Sequence, residues 1–483
     1  MTRDRRTSRE ERITRSLAWM ERYTSLFGKQ EAYRAAIERR PPIDLLVPGG
    51  PDDVTRIERS LAARGLHSER FTWAPFHLRV HTEGKGGAGT LPEVIFGLAF
   101  PQGVVSCLPA LALAPQLGER VLDLCAAPGG KTVLLSALAG DRARILAGDP
   151  NTQRCGLLVQ SLSRMAISSA MIVRQDGNCF PAVARFEKIL LDAPCSGEGI
   201  FRVPKPRYAP SGSSGIERAQ ALQKRLLSRA LDLLAPGGRL VYSTCTFAPE
   251  ENEQVLDNAL ASRDDLRIRD LPKGFPGAPG VTRWGKQRFD PRLERARRLY
   301  PQMTGSWGFF LALLEKDPAS GRYASRRLRE DEEPAPPTDD PEARAELVEQ
   351  LKRRFGVPAS ELEEYIVQRK ARDIWILARL PDDAEEVQTA RLHVVAPGLR
   401  ALRATGRGPR VTNALLRLLQ NRLRERIIDL SWETLLGLLD ARRMALTEAL
   451  SSGQVALRCE GRVVAAGFVR DGILEMELPK AWR

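Results

Sequence analysis

The chain lacks the features that mark membrane proteins, secreted proteins and zinc proteins. No apolar run reaches the ~20 residues of a membrane-spanning helix, and the Arg-rich start, MTRDRRTSREER, has no apolar core of a secretory signal. The seven cysteines are an odd number without C-x-x-C pairs, and there are only four histidines. These absences disfavour a membrane partner, a disulfide framework and a metal site, so we expect a cytoplasmic protein with reduced thiols.

Two nucleotide-binding motifs are missing from the stretch around which the chain is organised, VLDLCAAPGGKT at residues 121–132. A P-loop needs a glycine five positions before the glycine of Gly-Lys-Thr, and Cys125 stands there. The G-x-G-x-x-G fingerprint of dinucleotide enzymes is absent too. The stretch still predicts a strand, a Pro-Gly-Gly turn and a helix. It therefore favours a nucleoside ligand without phosphates, of which S-adenosylmethionine is the commonest.

Positive charge is in excess, whereas aromatic residues are few. The net charge is +14 with a pI near 9.7, and aromatic residues make up 6% of the chain. Such charge without heptads or long apolar runs indicates nucleic acid as the partner; the alternative is a basic surface that only faces solvent. The length of 483 residues is enough for about two to four domains.

Strand and helix patterns alternate through the middle of the chain and predict an α/β fold. We expect strands at 121–127, 144–149, 170–176, 187–194 and 238–245, helices at 131–139, 151–166 and 215–235, and a closing strand at 309–316. A helix opened by Pro249, with acidic residues in its first turn, follows the fifth strand. The alternation predicts a mostly parallel sheet with helices on both faces, in the usual strand order 3-2-1-4-5.

An accessory module precedes this predicted central domain, which we bound at residues 96–316. Residues 1–95 form an arginine-rich α+β module with a strand at 43–47 and a helix at 54–64. The module either caps the central domain or contacts nucleic acid.

A C-terminal region at residues 344–483 follows a charged, Pro-rich linker at 317–343. It shows two helical patterns, LVEQLKRRF and LEEYIVQR, a strand, DIWILAR, and three final strands joined by Glu-Gly and Asp-Gly turns. Between Arg391 and Arg426 there are nine arginines and a single acidic residue, Glu425. Charge of one sign indicates a nucleic-acid contact; the alternative is a solvated helix face.

Reactive side chains follow the predicted strands of the central domain. Asp149 follows the second strand, Asp176 the third, Asp192 and Cys195 the fourth, and Cys245 the fifth. In an open parallel sheet, ligands bind beyond the carboxyl ends of the strands, where the strand order reverses. Because strands one, four and five are neighbours in the expected order, the glycine loop, Asp192 and the two thiols should share one pocket.

Two thiols beside a methyl donor have a chemical use. C5 of cytosine is too weak a nucleophile to attack a sulfonium methyl unaided, but addition of a thiolate at C6 raises the electron density at C5. A base must then remove the C5 proton so that the thiol can leave, and a carboxylate near N3 and N4 favours the adduct. The alternative is that Cys195 and Cys245 are ordinary buried cysteines, and the residues alone assign neither thiol its role.

Four segments together resemble the signature motifs of the Sun-type RNA (cytosine-5) methyltransferases: LDLCAAPGGKT, AGDPN, ILLDAPCSGEG and LVYSTCTFAPEENE. The resemblance is densest from Phe100 to Leu256 and resumes at RRLYPQMTGSWGFFLALLEK. It implies a Rossmann-like, S-adenosylmethionine-dependent domain in which Cys245 is the nucleophile and Cys195 assists product release. The residues on the family's cofactor-binding positions are Cys125, Ala126, Ala127, Pro128, Gly129, Gly130, Lys131, Asp149, Asp176 and Asp192.

The resemblance extends to the last segment, VALRCEGRVVAAGFVRDGILEMELPKAWR, which is similar to the PUA-like RNA-binding module of the family's bacterial ribosomal-RNA branch. It implies methylation of cytosine C5 in ribosomal RNA, 16S rRNA in particular, by a monomer whose target base is unstacked or flipped. A transfer-RNA target stays open, as does a noncatalytic RNA-binding ribosome-assembly factor. A DNA cytosine-5 methyltransferase would use Cys195 as its nucleophile instead.

Overall fold

The computed structural model of the chain describes residues 21–28, 30–39, 42–82, 86–182, 184–200, 213–322, 337–381, 391–446 and 450–477. The Arg-rich start of the chain and most of the predicted linker, residues 323–336, lie outside them. No helix within these ranges is long and apolar enough to cross a membrane.

An antiparallel sheet of four strands forms the N-terminal module. Its strands are β1 (Ile43–Leu46), β2 (His67–Phe71), β3 (Ala74–His81) and β4 (Phe100–Pro101), in the order β2-β3-β1-β4. The helix Pro51–Ala63 packs Val54, Ile57 and Leu61 on this sheet at helical spacing. The strand at 43–47 and the helix at 54–64 are therefore confirmed. Shorter helices of this part of the chain span Thr24–Phe27, Gln30–Glu38 and Pro92–Ile95.

Five parallel strands form the centre of the largest sheet. They are β5 (Arg120–Asp123), β6 (Arg144–Gly148), β7 (Ala170–Val173), β8 (Phe186–Asp192) and β9 (Leu234–Thr244). Their spatial order is β7-β6-β5-β8-β9, which confirms the predicted order 3-2-1-4-5. The order reverses beside β5, so the carboxyl ends of β5, β8 and β9 lie next to one another.

Helices cover both faces of these strands. The helices Gly130–Leu138 and Thr152–Arg164 pack on one face, and Ser213–Leu233 packs on the other. Successive residues of β5 enter opposite cores, Val121 on the first face and Leu122 on the second, because side chains alternate along a strand. This three-layer arrangement confirms the Rossmann-like fold. The helix Leu108–Leu113 precedes β5.

Beyond β9 the sheet continues with antiparallel strands. This part of the chain contributes β10 (Leu266–Arg269), β11 (Ala278–Pro279), β12 (Arg283–Trp284), β13 (Gln287–Arg288), β14 (Arg297–Leu299) and β15 (Phe309–Lys316). β15 lies at the predicted closing strand and pairs with β9, β14 and β10, whereas β12 and β13 form a separate hairpin. The short helix Pro301–Thr304 lies between β14 and β15.

The helix after β9 spans Glu253–Ser262 and does not begin at Pro249, so that prediction was wrong. Only one acidic residue, Glu253, lies in its first turn, and it pairs with the buried Arg298. Glu251 accepts a hydrogen bond from the backbone N–H of Ser196 instead (2.9 Å). Partners distant in sequence bind these carboxylates, which a local helix-dipole argument does not consider.

A helix, Pro341–Phe355, opens the described C-terminal region, and strands follow it. They are β16 (Tyr365–Lys370), β17 (Asp373–Ala378), β18 (Val394–Ala396), β19 (Leu399–Arg403) and β20 (Arg410–Val411). The predicted helix LEEYIVQR is wrong, because its second half is β16, which pairs over six residues with β17. β18 leaves this sheet and pairs with β7 at the edge of the central sheet.

The last sheet has the order β21-β23-β24-β25-β22. Its strands are β21 (Ile427–Asp429), β22 (Arg443–Ala445), β23 (Gly453–Cys459), β24 (Arg462–Arg470) and β25 (Ile473–Glu477), and the helices Asn413–Leu418 and Trp432–Ala441 accompany it. The predicted Glu-Gly and Asp-Gly turns join β23 to β24 and β24 to β25. Both residues of each turn have positive φ, as two-residue hairpin turns of this type require. The PUA-like character of this module stays a prediction.

Candidate active site

The two predicted thiols meet at the carboxyl edge of the central sheet. Asp192 ends β8 opposite Ser243 of β9, so Cys195 and Cys245 leave neighbouring strands at the same level. Their sulfur atoms are 3.2 Å apart, and both cysteines are free. Cys195 is buried and Cys245 is partly exposed. A ligand that reaches this edge therefore meets Cys245 first.

A lysine and an aspartate lie beside the thiols. Lys131 Nζ donates to Asp192 Oδ2 (2.7 Å) and to Ser106 Oγ (3.2 Å), and Ser243 Oγ donates to Asp192 Oδ1 (2.8 Å). Burial alone would lower the pKa of Lys131, but the Asp192 carboxylate and, more weakly, Cys245 raise it. The ammonium group therefore stays charged within electrostatic reach of the Cys245 sulfur.

Cys195 keeps its proton in this environment. Its hydrogen bond to the Cys245 sulfur and its burial raise its pKa well above the usual value for a thiol. Burial and the raised pKa of its thiol set Cys195 apart from the partly exposed Cys245, a difference that the residues alone did not show.

The predicted glycine loop turns sharply at the end of β5. Gly129 has φ +114°, and a Cβ there would lie 2.9 Å from Leu158 of the helix Thr152–Arg164, so glycine is required. Pro128 is exposed, whereas Ala126, Ala127, Gly129 and Gly130 are buried. Burial raises the pKa of Cys125, which makes this third thiol of the site unreactive.

Two predicted acidic residues follow β6 and β7. Asp149 is buried, accepts from the backbone N–H of Asn151 (2.9 Å) and pairs with Arg154 (3.2 Å). Asp176 is exposed and accepts from the backbone N–H of Asn178 (2.9 Å). Together with the glycine loop they line the edge from β5 to β7. They lie on the side of β5 opposite to the thiols.

Asp123 was missed by the sequence reasoning. It ends β5, is 1% exposed and accepts from Thr132 Oγ1 (2.7 Å), but its Oδ1 has no hydrogen-bond partner among the described residues. Burial raises its pKa to about 7. An unpaired buried oxygen beside the glycine loop fits a polar ligand there. Its position at the end of the first strand was the available signal.

Two further carboxylates were also missed, Glu198 and Glu251. Both are buried below the loops that carry Cys195 and Cys245. Glu198 accepts from Tyr23 Oη (2.8 Å), and Glu251 accepts from the backbone N–H of Ser196. Their positions three residues after Cys195 and six residues after Cys245 were the available signal, because these places put them in the loops that carry the thiols.

A separate cluster on β2 and β3 has the donor set of a divalent-metal site. Ligand atoms of His67, Glu69 and His81 lie within 4.8 Å of one another, and His81 Nε2 is 3.1 Å from Glu69 Oε1. All three side chains are exposed and lie in the N-terminal module. Exposed clusters of this kind are common without a metal, so we assign it no role.

Known proteins share the central part of the chain. A family model described as 16S rRNA methyltransferase RsmB/F matches residues 110–315. A 28S rRNA (cytosine-C(5))-methyltransferase of Mus musculus is 41% identical over 47% of this chain and 29% of that protein. A tRNA (cytosine(49)-C(5))-methyltransferase of Pyrococcus abyssi is 34% identical over 47% of this chain and 73% of that protein.

A solved structure is similar over a longer part of the chain. The crystal structure of a methyltransferase homolog protein from Pyrococcus horikoshii has a TM-score of 0.55 and 32% identity, covering 64% of this chain and 98% of that one. The chain spans half or less of the length of four curated relatives, from 28% to 50%. With the paired thiols, the glycine loop and the parallel sheet in place, these similarities show that the chain belongs to the Sun-type RNA (cytosine-5) methyltransferase family.

Proposed function

We propose that the chain methylates C5 of a cytosine in ribosomal RNA, 16S rRNA in particular, through a covalent bond between Cys245 and C6. The observation that carries the proposal is the pair of free sulfurs 3.2 Å apart, one of them partly exposed, beside a charged lysine and an aspartate. The names of the relatives support cytosine C5 in RNA as the target, and the description of the matching family model supports 16S rRNA.

Cys245 adds to C6 of the flipped base in the first step. The S–C6 bond forms as the C5=C6 π bond opens, and C5 becomes nucleophilic enough to take a methyl group. Removal of the C5 proton then restores the double bond and expels Cys245. Cys195 lies 3.2 Å from Cys245, so it is placed to pass its own proton to the departing Cys245 sulfur and to take the C5 proton in its place, which leaves both cysteines as thiols.

Lys131 and Asp192 orient and stabilise the base during addition. Asp192 is 30% exposed, so its carboxylate lies at the surface that the base must approach. It holds the Lys131 ammonium in place, and that charge faces electron density that develops on the ring. Ser243 fixes the other carboxylate oxygen.

The other end of the edge fits a nucleoside cofactor. S-adenosylmethionine supplies the methyl group when it is bound. The residues that would hold it are the loop Cys125–Lys131, the carboxylates Asp149 and Asp176, which suit ribose and base donors, and Asp123 through its unpaired Oδ1.

Covalent trapping tests the assignment of the two thiols. With RNA that contains 5-fluorocytosine, the unchanged chain should form a denaturation-resistant complex. Cys245→Ala should lose the complex and methyl transfer by at least about 10³-fold, because it removes the nucleophile. Cys195→Ala should keep or accumulate the complex, because product release is blocked. Cys459→Ala, a buried cysteine of the last sheet, is the matched control.

The opposite pattern would overturn the assignment. If Cys245→Ala still trapped RNA and Cys195→Ala did not, Cys195 would be the nucleophile. If the unchanged chain transferred no methyl group to any cellular RNA, a noncatalytic RNA-binding role would replace the proposal.

Transfer RNA is the second candidate substrate, because the tRNA methyltransferase of Pyrococcus abyssi is covered over 73% of its length. Bisulfite mapping of RNA from cells with and without the protein decides between the two. We expect one cytosine of 16S rRNA to resist bisulfite conversion in cells that have the protein and to be converted in cells without it. Loss of protection in tRNA alone would assign the second substrate.

A further inference from the structure

Two buried carboxyl groups lie directly below the cysteine loops. Glu198 follows Cys195 in the loop after β8, and Glu251 follows Cys245 in the loop after β9. Glu198 is 5% exposed and Glu251 is fully buried. Neither is needed to close the hydrophobic core, and burial of a carboxylate requires compensation by specific partners.

Glu251 connects the two loops. Its Oε2 accepts from the backbone N–H of Ser196 (2.9 Å) and from Gln223 Nε2 (2.9 Å), and its Oε1 lies 3.2 Å from Thr246 Oγ1. Ser196 is the residue after Cys195, and Thr246 is the residue after Cys245. The carboxylate therefore sets how the two thiols lie relative to each other.

Glu198 extends this network to the N-terminal end of the described chain. Its Oε2 accepts from Tyr23 Oη (2.8 Å) and lies 3.1 Å from Thr246 Oγ1. Ser196 Oγ lies 2.8 Å from the same Thr246 oxygen. The hydroxyl of Thr246 thus stands between the two carboxyl groups.

The network is one proton short if both carboxyl groups are ionised. The four oxygen–oxygen contacts are Tyr23–Glu198, Thr246–Glu198, Thr246–Glu251 and Ser196–Thr246. Each needs one proton, but the three hydroxyl groups bring only one each. A proton on Glu198 supplies the fourth, and the Thr246 oxygen then shares its two lone pairs among Ser196, Glu198 and the backbone N–H of Ala248 (3.2 Å) while it donates to Glu251. Burial raises the pKa of Glu251 as well, but the N–H groups of Ser196 and Gln223 favour its ionised form, so Glu251 is the less suitable holder of the proton.

The electrostatic surroundings agree with this count. The titratable groups that act on Glu198 or its partners are Arg22 and Tyr23, Tyr33 of the helix Gln30–Glu38, and Glu250 and Glu251 of the loop after β9. Burial, and then the charge of Glu251, raise the pKa of Glu198 to about 7. The hydrogen bonds from Tyr23 and Thr246 oppose this shift, and so does the charge of Arg22, which forms an ion pair with Glu250 (2.6 Å).

We propose that Glu198 is a positioning residue whose single retained proton holds the Cys195 and Cys245 loops in register for the reaction. The inference deepens the proposed function and rests on it for its consequence in catalysis. Loss of that proton leaves two facing oxygen atoms without a hydrogen between them, and the loops separate.

Three variants of the full chain test the proposal. Glu198→Gln puts an amide nitrogen at the Oε2 position, where its two N–H groups can donate permanently to Thr246 Oγ1 and to Tyr23 Oη, and Glu198→Ala removes the bridge. Glu315→Gln is the matched control, because Glu315 pairs with Arg239 at the opposite end of β15 from the site. The readouts are the rate of methyl transfer and the urea midpoint of unfolding, each measured from below to above pH 7.

The unchanged chain should lose methyl-transfer rate relative to Glu198→Gln as pH rises above about 7, by about fivefold, the rate equivalent of one hydrogen bond. Glu198→Ala should be slower at every pH, and Glu315→Gln should follow the unchanged chain. The proposal is overturned if Glu198→Gln keeps the wild-type pH profile or is as slow as Glu198→Ala.

The stability readout has a defined sign and does not depend on catalysis. The native carboxyl holds its proton up to about pH 7, whereas the carboxyl of the unfolded chain releases it near the ordinary glutamate pKa of 4.5. The stabilisation is therefore complete below about pH 4.5 and is lost as pH rises from there to about 7, so over this window the urea midpoint of the unchanged chain should fall relative to Glu198→Gln. If no RNA were methylated but this fall were seen, the proposed function would fail while the proton assignment stood. Equal midpoint profiles would reject the assignment.

Discussion

Gly199 shows how closely the two cysteine loops are packed. Its backbone N–H donates to the carbonyl oxygen of Cys245 (2.8 Å), and its own carbonyl accepts from the N–H of Gly308 (3.1 Å). A Cβ at Gly199 would lie 2.4 Å from the Gly308 oxygen and 2.8 Å from the Cys245 oxygen. Backbone atoms cannot give way as a flexible side chain does, so only glycine fits between them.

Gly199→Ala should therefore destabilise the chain by about 1–3 kcal/mol and displace the Cys245 backbone. Urea denaturation measures the first effect, and the rate of trapping by RNA with 5-fluorocytosine measures the second. Gly406→Ala is the control, because a Cβ at Gly406 meets nothing within 4 Å. Its stability should change by no more than about 0.5 kcal/mol. Equal behaviour of the two variants would contradict the packing argument.

At the scale of elements, several arginines of the arginine-rich segment between residues 391 and 426 make contacts inside the fold. Arg400 pairs with Asp373 (3.2 Å) and lies over the ring of Trp375, and Arg426 donates to the backbone oxygen of Gln454 (2.8 Å). Arg417 donates to the backbone oxygens of Gly97 and Arg164. Part of the charge that was predicted to contact nucleic acid thus holds the protein together, which a count of arginines does not reveal.

Arg417 joins the C-terminal region to two other parts of the fold. Arg417→Met keeps much of the side-chain volume but leaves two backbone oxygens without their donor. We expect a loss of about 2–4 kcal/mol in the free energy of unfolding, measured by urea denaturation. Arg403→Met, at an exposed position of the same segment, should change it by no more than about 0.5 kcal/mol. If both variants lost a similar amount of unfolding free energy, the two backbone contacts of Arg417 would not be the cause of the loss.

The excess of positive charge concerns the molecule as a whole. Each internal ion pair cancels one positive and one negative charge, so the net charge of +14 stays the same when the ion pairs are taken into account. Arg403, Arg407 and Arg424 are exposed on the arginine-rich segment. They are the side chains of this segment that are available for phosphate contacts in the proposed RNA complex.

RNA affinity should consequently fall steeply with salt. The slope of log K against log salt should become shallower by about 1 for each phosphate contact removed, so Arg403→Ala with Arg407→Ala should reduce it by about 2. Filter binding at several salt concentrations measures the slope. Arg34→Ala, whose side chain pairs with Glu38, is the control and should leave it unchanged. A flat salt dependence of the unchanged chain would place the RNA contacts elsewhere.

Local patterns were sufficient for the five central strands, for the helices between them and for the edge where the site lies. Neighbouring residues alone predicted the strand that begins near Val121, the Pro-Gly-Gly turn and the helix after it. The Glu-Gly and Asp-Gly pairs predicted the last two turns, because these residues adopt positive φ. The regular alternation of strands and helices also predicted the strand order, because a parallel sheet permits few topologies.

Contacts between distant residues decided the rest. LEEYIVQR forms β16 because β17 offers it six pairing residues, and pairing outweighs a helical pattern of this length. Glu251 lies before the helix and not in its first turn, because the buried N–H groups of Ser196 and Gln223 bind its carboxylate. The distinction between Cys195 and Cys245 likewise depends on a sulfur–sulfur distance and on burial, which are properties of the folded packing and not of spacing along the chain.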